Sequence, residues 1–153
     1  MDLADIASAI AARYSTGVSA PTGYTALQTV SHLLPATIGK TPALYVHTPT
    51  LPQLELSGSR RHGQADFPVR FYYSTAESPQ DVTTALYAWW DVLIDRLLGQ
   101  LMLGEGATSN AVSTAKVASG RIGWIPWGFG EEGYPGIELT VEVRFSHAVT
   151  IAA

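Results

Sequence analysis

Residues 137–151 read Ile-Glu-Leu-Thr-Val-Glu-Val-Arg-Phe-Ser-His-Ala-Val-Thr-Ile, and their period decides the fold. Ile137, Leu139, Val141, Val143, Phe145, Val149 and Ile151 hold the odd positions, and Glu138, Thr140, Glu142, Arg144 and Ser146 hold even ones. Successive side chains of a strand point to opposite faces, so this stretch is a strand with one apolar and one polar face. A strand of that kind belongs in an antiparallel sheet with one face on the core. His147 is the exception, standing on the apolar side.

Upstream of this strand, residues 126–136 are crowded with glycine and proline and read as an irregular loop, and residues 114–124 as another strand. Before them lies the strongest helical signal. In Ser78-Pro79-Gln80-Asp81, Ser is the N-cap, Pro the first helical residue and Asp the third. Val82, Leu86, Trp89, Trp90, Leu93, Ile94, Leu97, Leu98 and Leu101 continue as a broad apolar stripe, with Gly104 as a stop and a small-residue loop to 113. A helix over 79–103 would be roughly 37 Å long and would need a large sheet or a neighbouring subunit to cover it.

The N-terminal half is less regular. Residues 2–14 read as a helix, with Leu3, Ile6, Ala7 and Ile10 at helical spacing and Asp2 and Asp5 in the first turn. Gly17, Pro21 and Gly23 break the chain, and residues 24–34 read as one short helix ended by Pro35. Residues 43–47, 53–57 and 67–74 read as strands, and Pro68 in the last suggests either an edge strand or that strand's first residues. Ser57-Gly58-Ser59-Arg60-Arg61-His62-Gly63 then forms a long hairpin tip. The expected fold is α+β: one domain over 1–153, with an antiparallel (mixed) sheet of about five strands. One long helix and a shorter N-terminal helix pack that sheet.

Composition narrows the function. Only 14% of the 153 residues are charged, and 12 Ser and 15 Thr stand in their place, which suits a surface partly covered by other subunits. A net charge of −4, with Arg60 and Arg61 the only adjacent cations, argues against a phosphate-gripping nucleic-acid binder. The absence of cysteine removes disulfides, thiolate zinc sites and cysteine nucleophiles. The acidic start and the lack of any apolar run near ~20 residues lead us to expect a soluble, unexported protein with no membrane partner.

No catalytic, cofactor or metal motif stands up. Gly128-Phe129-Gly130-Glu131-Glu132-Gly133 fits G-x-G-x-x-G, but a strand follows it where dinucleotide binding requires a helix. His32, His47, His62 and His147 have no metal-ligand spacing, and Ser113-Thr114-Ala115-Lys116 is an S-x-x-K without companion motifs. Two features do stand out. Trp124, Trp127, Phe129 and Tyr134 crowd one loop, as core residues or as interface anchors. Arg60, Arg61 and His62 mark a hairpin tip that is either solvated or a docking element.

The order of features carries a resemblance. An N-terminal helix leads to Leu33-Leu34-Pro35 and Pro42-Ala43-Leu44-Tyr45-Val46. The hairpin and Phe67-Pro68-Val69-Arg70-Phe71-Tyr72-Tyr73 come next, then the helix from Ser78, and Tyr134-Pro135-Gly136-Ile137-Glu138-Leu139 opens the last strand. This layout, over most of the chain, resembles the tail terminator proteins of long, non-contractile-tailed bacteriophages. The resemblance implies a non-enzymatic virion protein without cofactors, assembled as a homohexameric ring. That ring caps the head-proximal end of the tail tube, stops polymerisation of the major tail tube protein and meets the head–tail connector protein. DNA passes only through its central channel, and assembly takes place in the host cytoplasm. Other readings are a head–tail joining or tail completion protein, or a small α+β ligand-binding or enzymatic domain.

Overall fold

The computed structural model describes residues 3–15, 18–57, 60–74, 77–98, 112–127 and 132–148. In it the alternating strand, β6 (Gly133–Ala148), lies between β4 (Arg60–Tyr72) and β5 (Val112–Pro126), antiparallel to both. Phe67, Val69 and Phe71 stand opposite Val141, Leu139 and Ile137, so the odd-numbered apolar faces of two strands coincide. β2 (Ala43–Val46) and β3 (Thr50–Ser57) lie end to end along the other edge of β4, at residues 69–72 and 60–66. β1 (Thr29–Ser31) adds in parallel beside β2, making a six-stranded mixed sheet in the order β1-β2-β4-β6-β5 with β3 against β4.

Two helices cover the apolar face. α1 (Leu3–Ser15) buries Ile6, Ala7, Ile10, Ala11 and Tyr14. α2 (Pro79–Leu98) begins at the expected cap, where the Asp81 amide donates to Ser78 Oγ at 3.3 Å. α2 buries Val82, Ala85, Leu86, Trp89 and Leu93 against Phe71, Ile137 and Leu139. Val82, Leu86 and Leu93 each contribute about 1.5–3 kcal/mol by leaving water. Tyr14 ties the helices together by donating to the Leu93 carbonyl at 3.4 Å. The α+β class thus matches the expectation.

Several details differ. The long helix is not borne out: α2 has 20 residues and α1 has 13. The buried stripe of α2 runs from Val82 to Leu93, roughly 16 Å, which is the stretch of sheet it has to cover. The side chains of Leu97, Leu98 and Leu101 lie outside the described residues, as does the expected 104–113 loop up to residue 111, while its last two residues, Val112 and Ser113, already belong to β5. The short helix expected over 24–34 is instead loop and strand. The Gln28 amide donates to the Pro42 carbonyl at 2.8 Å, and β1 then follows β2. Long-range pairing has overridden a weak local preference there.

Pro68 sits well inside a central strand, neither on an edge nor among the strand's first residues. Its carbonyl accepts from the His47 amide at 2.8 Å, where β2 ends and β3 has not yet begun. The nitrogen that cannot donate therefore faces the gap between those two strands and costs no ladder bond. The hairpin tip is short, since only residues 58 and 59 separate β3 from β4. The 126–136 loop is likewise mostly strand, because Trp124, Ile125 and Pro126 pair with Pro135, Tyr134 and Gly133. Gly136 lies so close to the Phe71 carbonyl that a Cβ there would collide with the backbone.

Candidate functional site

The sequence-derived candidates are dispersed by the sheet. Arg60, Arg61 and His62 are strand residues, paired with Ser57, Leu56 and Glu55 on one side and Ala148, His147 and Ser146 on the other. Their side chains and the whole of Phe129 lie outside the described residues. The aromatic group divides by parity, since residues three apart in an extended chain face opposite ways. Trp124 projects from the helix-covered face and is 59% exposed, whereas Trp127 is buried beneath the opposite face. Tyr134 is half-buried beside Trp127.

On the face away from the helices, Tyr45, Tyr72, Ile125 and Trp127 form a second, smaller core. The Trp127 ring lies 5.0 Å from Tyr45 and 5.4 Å from Tyr72, both edge-on. Next to it is a polar cluster drawn from four segments, which sequence reading missed. Arg70 Nε donates to Glu138 Oε2 at 2.5 Å, and Arg121 Nε donates to the other carboxylate oxygen at 3.3 Å. Arg70 Nη1 lies 3.4 Å from His47 Nδ1 and donates to the Pro126 carbonyl at 3.3 Å. Tyr72 also donates to that carbonyl, at 2.7 Å, and its oxygen lies 3.0 Å from His47 Nε2.

Because the guanidinium only donates, His47 Nδ1 is the acceptor and Nε2 carries the proton, directed at the Tyr72 oxygen. Burial, and next the Arg70 charge, hold the His47 pKa down at about 4. Burial likewise pushes the Tyr72 phenol up to about 12. For Glu138 burial pulls upward, but hydrogen bonds and charge from Arg70 and Arg121 outweigh it and leave the carboxyl below its usual range. Each group is committed to another, so the cluster is a clasp: it fastens the β5–β6 hairpin to β2 and β4.

The clasp makes the fold acid-sensitive. His47 binds its proton more weakly folded than unfolded, so its contribution is complete above about pH 6.5 and declines to about pH 4. Glu138, with its depressed pKa, adds a further loss below the normal carboxylate range. Urea unfolding at pH 7 and pH 4.5 is expected to show a loss in the parent about 2 kcal/mol larger than in His47→Gln. Equal losses in the two proteins would contradict the clasp.

Two apolar patches remain open, at opposite edges of the sheet. At the β5 edge an open groove of about 500 Å³ runs between α2 and β5, floored by Val82, Leu86 and Ile122 and flanked by Tyr87 and Trp124. Tyr87 is 61% exposed. At the other edge β3 exposes Leu51 and Leu54, and Leu33 is exposed after β1. Single exposed apolar side chains are ordinary, and Tyr87 and Trp124 stand out because two large aromatics are exposed across one groove.

Comparison with protein-family models gives no match, and comparison with curated protein sequences gives none either. Among the described residues no group of three His, Asp or Glu is placed to hold a metal ion, and no helix is long and apolar enough to cross a membrane. The Gly128–Gly133 string joins two antiparallel strands, β5 and β6, so no helix N-terminus follows it to receive a pyrophosphate.

Proposed function

We propose that this chain is a ring-forming structural subunit that caps the head-proximal end of a phage tail tube. The observation that carries this reading is the pair of unlike apolar patches at opposite sheet edges, Tyr87 with Trp124 and Leu51 with Leu54. Unlike patches on opposite flanks make head-to-tail contacts, and such contacts close into a ring when the rotation between copies allows it. The resemblance of the sequence layout to tail terminator proteins implies six copies and, as axial partners, the tube protein on one side and the head–tail connector protein on the other. A net charge of −4 suits a channel that lets DNA pass without gripping it.

Capping follows from asymmetry along the axis. One ring face accepts the last tube layer, and the other offers no surface for a further layer. The role needs no catalytic group, and the polar residues of the open sheet face serve as a clasp. The α2–β5 groove is also where a small apolar ligand would sit. Its two exposed aromatic walls favour a protein surface as the occupant.

Tube growth tests the reading. Tube protein from the same phage, polymerising alone, is expected to give tubes of unrestricted length. Adding this protein should arrest elongation, with extra density at one end of each tube. Unchanged growth with bare ends would overturn the proposal.

A further inference from the structure

We infer that the end of the β5–β6 hairpin, residues 124–127 with 132–135, is a latched arm that protonation of His47 releases while the rest of the sheet stays folded. Release of this arm is local, not global, and does not depend on the ring reading.

The arm overhangs the sheet. β4 stops at Tyr72, opposite Gly136, so residues 133–135 of β6 have only β5 as a strand partner. At the base of the overhang Gly123 and Gly136 are paired. Gly123 has a φ of +155° and nothing within 4 Å of where a Cβ would stand, whereas Gly136 is pressed against the Phe71 carbonyl. One strand thus crosses the base at a fixed point and the other at a free glycine, which together make a hinge. Among the described residues, three attachments hold the arm to β2 and β4. The Tyr73 amide donates to the Pro135 carbonyl at 2.8 Å. Tyr72 and Arg70 both donate to the Pro126 carbonyl. Ile125 and Trp127 enter the second core.

His47 governs the second and third of these. The titratable and charged groups facing it are Arg70 and Tyr72 of β4 and Glu138 of β6, with Arg121 of β5 bound to Glu138. From the arm it meets the Trp127 ring, edge-on at 6.2 Å. A proton on Nδ1 removes the acceptor and sets a cation against the guanidinium 3.4 Å away. Glu138 attracts that proton, but less than Arg70 repels it. The strain falls on Arg70 Nη1 and on the Tyr72 hydroxyl, the two donors to the Pro126 carbonyl. Water reaches the charged imidazole when the Trp127 ring packed against it moves away. Trp124 and Pro135 also wall the α2–β5 groove, so release of the arm takes that wall with it.

Amide hydrogen exchange followed by NMR at pH 7 and pH 5 tests the latch, each rate being divided by the unstructured-chain rate at that pH. The Tyr73 amide reports the arm, because its acceptor is the Pro135 carbonyl, and the Leu139 amide, in the middle of β6, reports the whole sheet. With a His47 pKa of about 4 latched and 6.5 released, the step to pH 5 should lower Tyr73 protection about twentyfold. Tyr73 protection should then lie at least about tenfold below that of Leu139. In His47→Gln the Tyr73 change should be less than about threefold. Unchanged protection at Tyr73, or equal protection at Tyr73 and Leu139 at pH 5, would overturn the proposal, and so would the same fall in the variant. The parent's two amides decide the question even if the variant does not fold.

Discussion

Trp127→Ala is expected to lower folding stability by about 3–5 kcal/mol, the range for removing a buried large aromatic. Trp127 is 9% exposed and is wrapped by Tyr45, Tyr72 and His47. Among the described residues its cluster has five buried members, so few of these neighbours can collapse into the space. The backbone is also tied at this point, because the Trp127 amide donates to the Glu132 carbonyl at 2.6 Å. Urea unfolding at pH 7 measures the loss, and Trp127→Phe should recover most of it. A variant as stable as the parent would show that the second core does not exist as described.

Tyr87→Ala and Trp124→Ala are expected to do the opposite: spare the fold and abolish assembly. Both side chains are more than half exposed, so each change should alter folding stability by less than about 0.5 kcal/mol. At an interface, an aromatic anchor contributes about 2 kcal/mol or more, which weakens association roughly thirty-fold for each residue removed. Melting curves beside sedimentation or light scattering, with and without tube ends, check both halves. Intact assembly in the double variant would remove the groove from the contact. A large fall in melting temperature would place these rings in the fold.

The contrast between Trp124 and Trp127 shows how far the sequence was legible. The alternation of residues 137–143 survives in β6 because one face is buried and the other is not, so a slip by one residue would expose every apolar side chain. Ser78-Pro79 marks the start of α2 by chemistry that acts within one turn. Arg60 to His62 and residues 124–126 look like loop because glycine and proline surround them. Pairing with distant segments nevertheless extends the strands through both places. Had the strand been carried to Pro126, parity alone would have put the two tryptophans on opposite faces.

The clasp was illegible for a related reason. Arg70 and Glu138 each read as polar-face residues, but only the register that sets β4 against β6 brings them opposite one another. His47 enters from beyond the end of β2, and the Pro126 carbonyl from a turn approach that has no side-chain signature. The groove depends on where α2 crosses β5, which no local pattern encodes. β1 is three residues long and exists only because β2 lies beside it.

Electron micrographs of the purified protein bound to tail tubes test the central claim most directly. The predicted result is a six-fold ring of 16.4 kDa subunits, about 98 kDa in all, on one end of each tube only. Class averages showing the protein monomeric, spread along the tube wall, or gathered as two-fold dimers would contradict it.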